Sequence, residues 1–159
     1  MKRFALLLAL LPAPGFAVTV EDVLAEAKAD CASFDNGVLT ISPTAVHQIE
    51  LTGDSTPETL VDWAGFDCST MASAWGGTGG SLLTVLINGQ RSDHMALGWT
   101  LVQLNGPVLL LALHGSECNA TGSQPCAEAL VWGGETLLSV RSGGGEEDDQ
   151  PVEEPAPTP

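Results

Sequence analysis

The chain has 159 residues and a formal charge of −15 at neutral pH, from 20 acidic and 5 basic side chains. Phosphate backbones and anionic membrane surfaces repel such a chain, so nucleic-acid binding is excluded. The length allows one domain with a modest core.

Met1-Lys2-Arg3 is a short basic start, and Phe4 to Leu11 follows as an unbroken apolar run. Pro12, Pro14 and Gly15 break any helix after it. Gly15-Phe16-Ala17 then places small residues at both positions a signal peptidase reads. Residues 1–17 are expected to be a signal peptide, and the mature protein to be periplasmic or secreted. No segment is apolar over the roughly 20 residues that a membrane-spanning helix needs. Loss of Lys2 and Arg3 takes the formal charge from −15 to −17. Such a charge suits cationic partners or divalent metals, or serves solubility alone.

The next apolar residues recur at helical spacing. Val20, Val23, Leu24, Ala27 and Cys31 share one face, and Glu21, Asp22, Glu26 and Lys28 fall elsewhere. Thr19 is the expected cap, with Asp22 three residues on completing a capping box.

Strand patterns follow. They cover Val38 to Ile41, Ala45 to Leu51, Thr59 to Trp63, Leu82 to Ile87, Trp99 to Leu104, Pro107 to Leu113, Ala127 to Trp132 and Glu135 to Val140. Asn88-Gly89 is an expected turn, and Asn105-Gly106 and Gly133-Gly134 are expected hairpin turns. Val108 to Leu113 is apolar at every position, which reads as a central strand covered on both faces. Phe66 to Gly80 and the stretch between Cys118 and Cys126 read as irregular. Ser142 to Gly145 is a flexible linker, and residues 142–159 form an acidic, proline-rich tail that cannot build a core.

There are four cysteines, Cys31, Cys68, Cys118 and Cys126. An even count in an exported chain reads as two disulfides, for which three pairings exist. Cys118–Cys126 is favoured, because the intervening segment reads as a closed loop, and Cys31–Cys68 follows by elimination. No CxxC pair or Cys/His spacing supports zinc. The expected fold is α+β and β-rich: a short N-terminal helix on a mostly antiparallel sheet of six to eight strands, over residues 18–141. The later strands should form a meander, since their connections are short. A closed sandwich or barrel-like roll is the alternative.

Three groups of residues could carry function. Glu50-Leu51-Thr52-Gly53-Asp54-Ser55-Thr56-Pro57-Glu58 leads into an apolar strand. It resembles the calcium loop of FG-GAP and integrin-like repeats, DxNxDGxxD before a strand. The resemblance covers one hairpin. It implies that Glu50, Thr52, Asp54 and Glu58 supply side-chain oxygens to calcium, and Thr56 a carbonyl. Glu for Asp at both ends, Thr for Asn, and Ser55 for the turn glycine depart from that pattern.

The histidines are His47, His94 and His114. A hydrolase would use Ser116 or Ser92 as nucleophile and His114 or His94 as base, yet no GxSxG elbow is present. The glycines before Ser81 lack the Gly-Lys-Ser/Thr ending of a phosphate loop. Four tryptophans and no tyrosine mark the chain: Trp63, Trp75, Trp99 and Trp132 read first as core packing under a small sheet, with a sugar- or peptide-stacking surface as the alternative, and Trp75, beside the glycines, is the one expected to be exposed.

These readings lead to an exported, non-enzymatic binding or structural module for an unknown protein or small ligand. It is expected to be a monomer with no required cofactor, calcium in a degenerate loop being the one alternative. A small exported hydrolase working through His114 or His94 is the alternative.

Overall fold

The structure, a computed structural model, describes residues 17–124 and 126–142. The expected signal peptide and acidic tail lie outside these residues, apart from Ala17 and Ser142 at their borders.

Helix α1 spans Val20–Ser33. The Thr19 hydroxyl accepts from the Asp22 amide, and the Asp22 carboxylate accepts from the Thr19 amide at 2.9 Å. This reciprocal box satisfies helix-end donors that have no intrahelical partner. Val23, Ala27 and Cys31 are the buried helical side chains, as the periodicity requires.

Eleven strands follow: β1 (Leu39–Ile41), β2 (Val46–Ile49), β3 (Glu58–Asp62), β4 (Phe66–Cys68), β5 (Gly76–Gly77), β6 (Gly80–Ile87), β7 (Gln90–Ala96), β8 (Gly98–Gln103), β9 (Pro107–Leu113), β10 (Cys126–Trp132) and β11 (Leu137–Ser142). Every pairing is antiparallel. One sheet has the order β2-β3-β6-β5, with β7 also paired to β6, and a second is the meander β11-β10-β9-β8. β1 and β4 form a small separate pair. Ser142, assigned to the tail by composition, ends β11.

The two larger sheets stack. Leu60, Leu83, Val85 and Ile87 of the first meet Leu109, Leu111, Leu113 and Leu130 of the second in one buried cluster. The other face of the first sheet carries Val61 and Leu86, packed with Val23 and Ala27 of α1 and with Trp63 and Phe66. The order is therefore helix, sheet, sheet.

The α+β architecture, the antiparallel pairing and both disulfides, Cys31–Cys68 and Cys118–Cys126, agree with the sequence reading. Three points differ. The strands fall in two stacked sheets rather than one. β4, β5 and β7 are additional strands: β4 alternates over only three residues, β5 is two glycines, and β7 is mostly polar on both faces. The run Val108 to Leu113 is covered fully on one face and unevenly on the other: Leu109, Leu111 and Leu113 are buried on the first, while on the second Val108 is buried, Leu110 half-buried and Ala112 exposed.

Asn88 and Gly89 both take positive φ, 52° and 75°, as a two-residue hairpin turn with right-handed strand twist needs. At Asn105-Gly106 it is Gly106, at φ 136°, that takes it. Among the described residues no helix is long and apolar enough to cross a membrane.

Candidate functional site

The acidic hairpin between β2 and β3 brings its carboxylates together. Oxygens of Glu50, Asp54 and Glu58 lie within 4.8 Å of one another. Each is also engaged by the loop itself. Glu58, almost fully buried, accepts from the Leu51 amide at 2.7 Å, the Thr52 amide at 3.3 Å and the Thr52 hydroxyl at 3.0 Å. Glu50 accepts from the Gly53 amide at 2.6 Å, and Asp54 from the Thr56 amide at 2.7 Å. That last bond holds the Asp54 carboxyl below its ordinary range. Thr52 thus serves Glu58 as a donor, and Thr56 presents its N–H to the cluster. A calcium ion wants six to eight oxygens, and these carboxylates spend acceptor capacity on backbone donors. Glu58→Ala should leave the buried Leu51 amide without its acceptor and cost about 2–3 kcal/mol. Glu50→Ala, half-buried at the start of the turn, should cost less, about 1 kcal/mol. Urea denaturation of both variants checks the contrast.

The serines and histidines of the hydrolase reading fall into two pairs. His114 Nδ1 lies 2.7 Å from Ser116 Oγ and accepts from the Ser116 amide. The ring also lies so close to Gly122 that a Cβ there would sit 2.3 Å from Nε2. The imidazole therefore packs against the loop closed by Cys118–Cys126, with Nδ1 bonded to Ser116.

The second pair is on β7, an edge strand that the sequence did not reveal. His94 Nε2 is 2.8 Å from Ser92 Oγ, and His94 Nδ1 is 4.0 Å from Glu128 Oε2. Glu128 sits on β10 at a core-facing position and is only 4% exposed. Its Oε1 accepts from the Ser139 hydroxyl and lies 3.5 Å from Arg141 Nε. A lone acid among the apolar core positions of β10 is the signal that could have singled out Glu128. Burial lowers the His94 pKa from its ordinary 6.5; Glu128 and Asp93 oppose this, and Arg141 reinforces it.

Below about pH 6.5 the unfolded chain takes up a proton that folded His94 refuses. Stability therefore falls as pH drops from 6.5 toward the folded value. Melting temperature should decline as pH falls below about 6.5, and more shallowly in His94→Gln.

Beside Trp75 lies a cleft of about 360 Å³. Trp63, Phe66 and Trp75 form its aromatic wall, with ring centroids 5.1–5.8 Å apart. Gly76, Gly77 and Gly80 supply a wall of bare backbone. Gly80 has φ 110°, and a Cβ there would lie 2.3 Å from the Ala96 carbonyl oxygen, so only glycine fits. None of the side chains lining the cleft is charged. Trp75 is half-buried rather than exposed, because it stacks into the cluster with Trp63 and Phe66.

Compared with family models, curated proteins and solved structures, the chain matches none.

Proposed function

We propose that the protein is an exported, non-enzymatic binding module that holds a small neutral ligand, a sugar or an uncharged apolar peptide segment, against Trp75. The observation that carries this reading is the uncharged cleft in a chain of formal charge −15. Its volume is at the lower end for ligand sites, which join aromatic walls to a few backbone polar groups. The apolar start of the chain and two disulfides support export into an oxidising compartment.

The test is a titration of neutral oligosaccharides and of uncharged peptides, followed by tryptophan fluorescence. A Cβ at Gly77 would meet nothing within 4 Å, so Gly77→Val narrows the cleft without disturbing the core. A ligand of the proposed class should saturate the native protein and bind Gly77→Val at least about tenfold more weakly, a loss of about 1.4 kcal/mol. No saturable signal from either class at millimolar concentration would reject the reading.

Calcium has a minor place in this proposal. The carboxylates of Glu50, Asp54 and Glu58 act first as caps of their own hairpin, so added calcium or a chelator should leave the melting temperature unchanged. A clear rise with calcium would restore the loop to a metal-binding role.

Hydrolysis is the competing reading, and the 2.8 Å contact between Ser92 and His94 favours it. The 4.0 Å gap to Glu128 is too long for a hydrogen bond that would orient the imidazole. A fluorophosphonate probe should leave Ser92 unlabelled; stoichiometric labelling there would replace binding by catalysis.

A further inference from the structure

The second sheet has a face that is only partly covered: on it Val108 is buried, at 9% exposure, Val102, Leu110, Ala127, Ala129 and Val131 are half-buried, and the rest are exposed. Residues of β8 to β11 that point away from the core form three rows across the four strands, as the pairing register dictates. The first row is Val102, Val108, Val131 and Leu138. The middle row is Thr100, Leu110, Ala129 and Val140. The third is Gly98, Ala112, Ala127 and Ser142. None of these residues carries a charge. Leu138 and Val140 are 54% and 70% exposed. The opposite face of the first sheet is covered by α1, whereas no described element lies over this one.

An antiparallel sheet with one wet face normally alternates apolar and polar residues, and strands apolar on both faces belong to sheets covered on both sides. β9, Pro107–Leu113, has the second pattern in the position of the first. We propose that this face is covered by the same face of a second copy of the chain.

Charge and side-chain size select that occupant, and area sets its strength. A chain of formal charge −15 that places no charge among these positions offers a cationic partner no ion pair there. The chain's own continuation beyond Ser142 carries Glu146-Glu147-Asp148-Asp149, which has no apolar side to offer. A second copy does fit. Side-chain size falls from the valine and leucine row to the glycine, alanine and serine row. A two-fold axis along the middle row lays the bulky row of each copy on the small row of the other, so ridge meets groove twice. Such self-complementarity is what a two-fold interface requires.

Four strands about 4.8 Å apart, each contributing about six residues at 3.3 Å, cover roughly 400 Å² per copy. Stable interfaces bury about 800 Å² per partner. The dimer is therefore weak. It should form only as protein concentration is raised.

Sedimentation of the oxidised protein tests this directly. Weight-average mass should climb toward two chains with concentration. It should climb further as salt rises from about 0.05 to 0.5 M, since screening relieves repulsion between acidic copies and leaves apolar contact intact. Val140→Lys, at an exposed position of the middle row, should hold the protein at one chain throughout. Val38→Lys, 67% exposed and off this face, should behave as the native chain does. Both variants reduce the net negative charge equally, so dimer loss in the first alone runs against the electrostatic trend. A native protein that keeps one mass at every concentration overturns the proposal. So does a dimer that Val140→Lys and Val38→Lys affect alike, because it would use another surface.

Discussion

Replacing Cys31 and Cys68 together by alanine is expected to lower the unfolding free energy by roughly 4 kcal/mol, measured by urea denaturation beside the oxidised protein. The bridge spans 37 residues, from the end of α1 to β4. Cutting it frees the unfolded chain to explore conformations that the loop forbids, and that gain grows with the logarithm of loop length. Cys118–Cys126 closes only 8 residues, so its removal should cost less, roughly 2.5 kcal/mol. Domains of this size keep only about 5–15 kcal/mol in total. Full reduction therefore threatens the fold itself. Unchanged denaturation of the Cys31/Cys68 double variant would show that the apolar contacts of α1 suffice without the cross-link.

Trp63→Ala should be as damaging, at about 3–5 kcal/mol by the same measurement. Trp63 is 2% exposed and touches Phe66 and Trp75. It also starts a polar chain through the layer. Its Nε1 donates to Thr84 Oγ1 at 3.0 Å, and Thr84 donates to Asp93 at 2.6 Å. Asp93 pairs with Arg91, which reaches Glu26 on α1. Alanine opens a cavity and removes the indole donor from a fully buried Thr84 hydroxyl. Trp63→Phe keeps most of the volume and loses the donor, so it should cost about 1–2 kcal/mol. Equal losses in the two variants would mean that the polar chain, rather than packing, holds this layer. The truncation should also free Trp75, whose ring rests on Trp63, and shift its fluorescence toward the red.

Trp75 shows how far local reading reaches. Its glycine neighbours mark an open stretch of chain, and a cleft does lie there. Its exposure depended on Trp63 and Phe66, which the chain brings against it only after β3 and β6 pair. The acidic hairpin is a similar case. Its nine residues place three carboxylates together, as their spacing implies, but only the folded loop aims backbone donors at those oxygens.

β7 was illegible for a physical reason. Arg91 and Asp93 face the helix side through Thr84 and Glu26, while Ser92 and His94 face the polar edge of the other sheet around Glu128. Polar residues on both faces erase the alternation that identifies a strand. The two histidine pairs were equally hidden as alternatives, since separating His94 from His114 needs to know which strands stack.

Short-range rules thus determined the capped helix, the eight apolar strands and the closed loop at Cys118–Cys126, because each depends on residues a few positions apart. Tertiary structure alone decided that the strands divide into two stacked sheets, which placed Glu128 beside His94 and left an uncharged face only partly covered. Those outcomes rest on which apolar surface meets which, and that is settled by contacts between residues far apart in the chain.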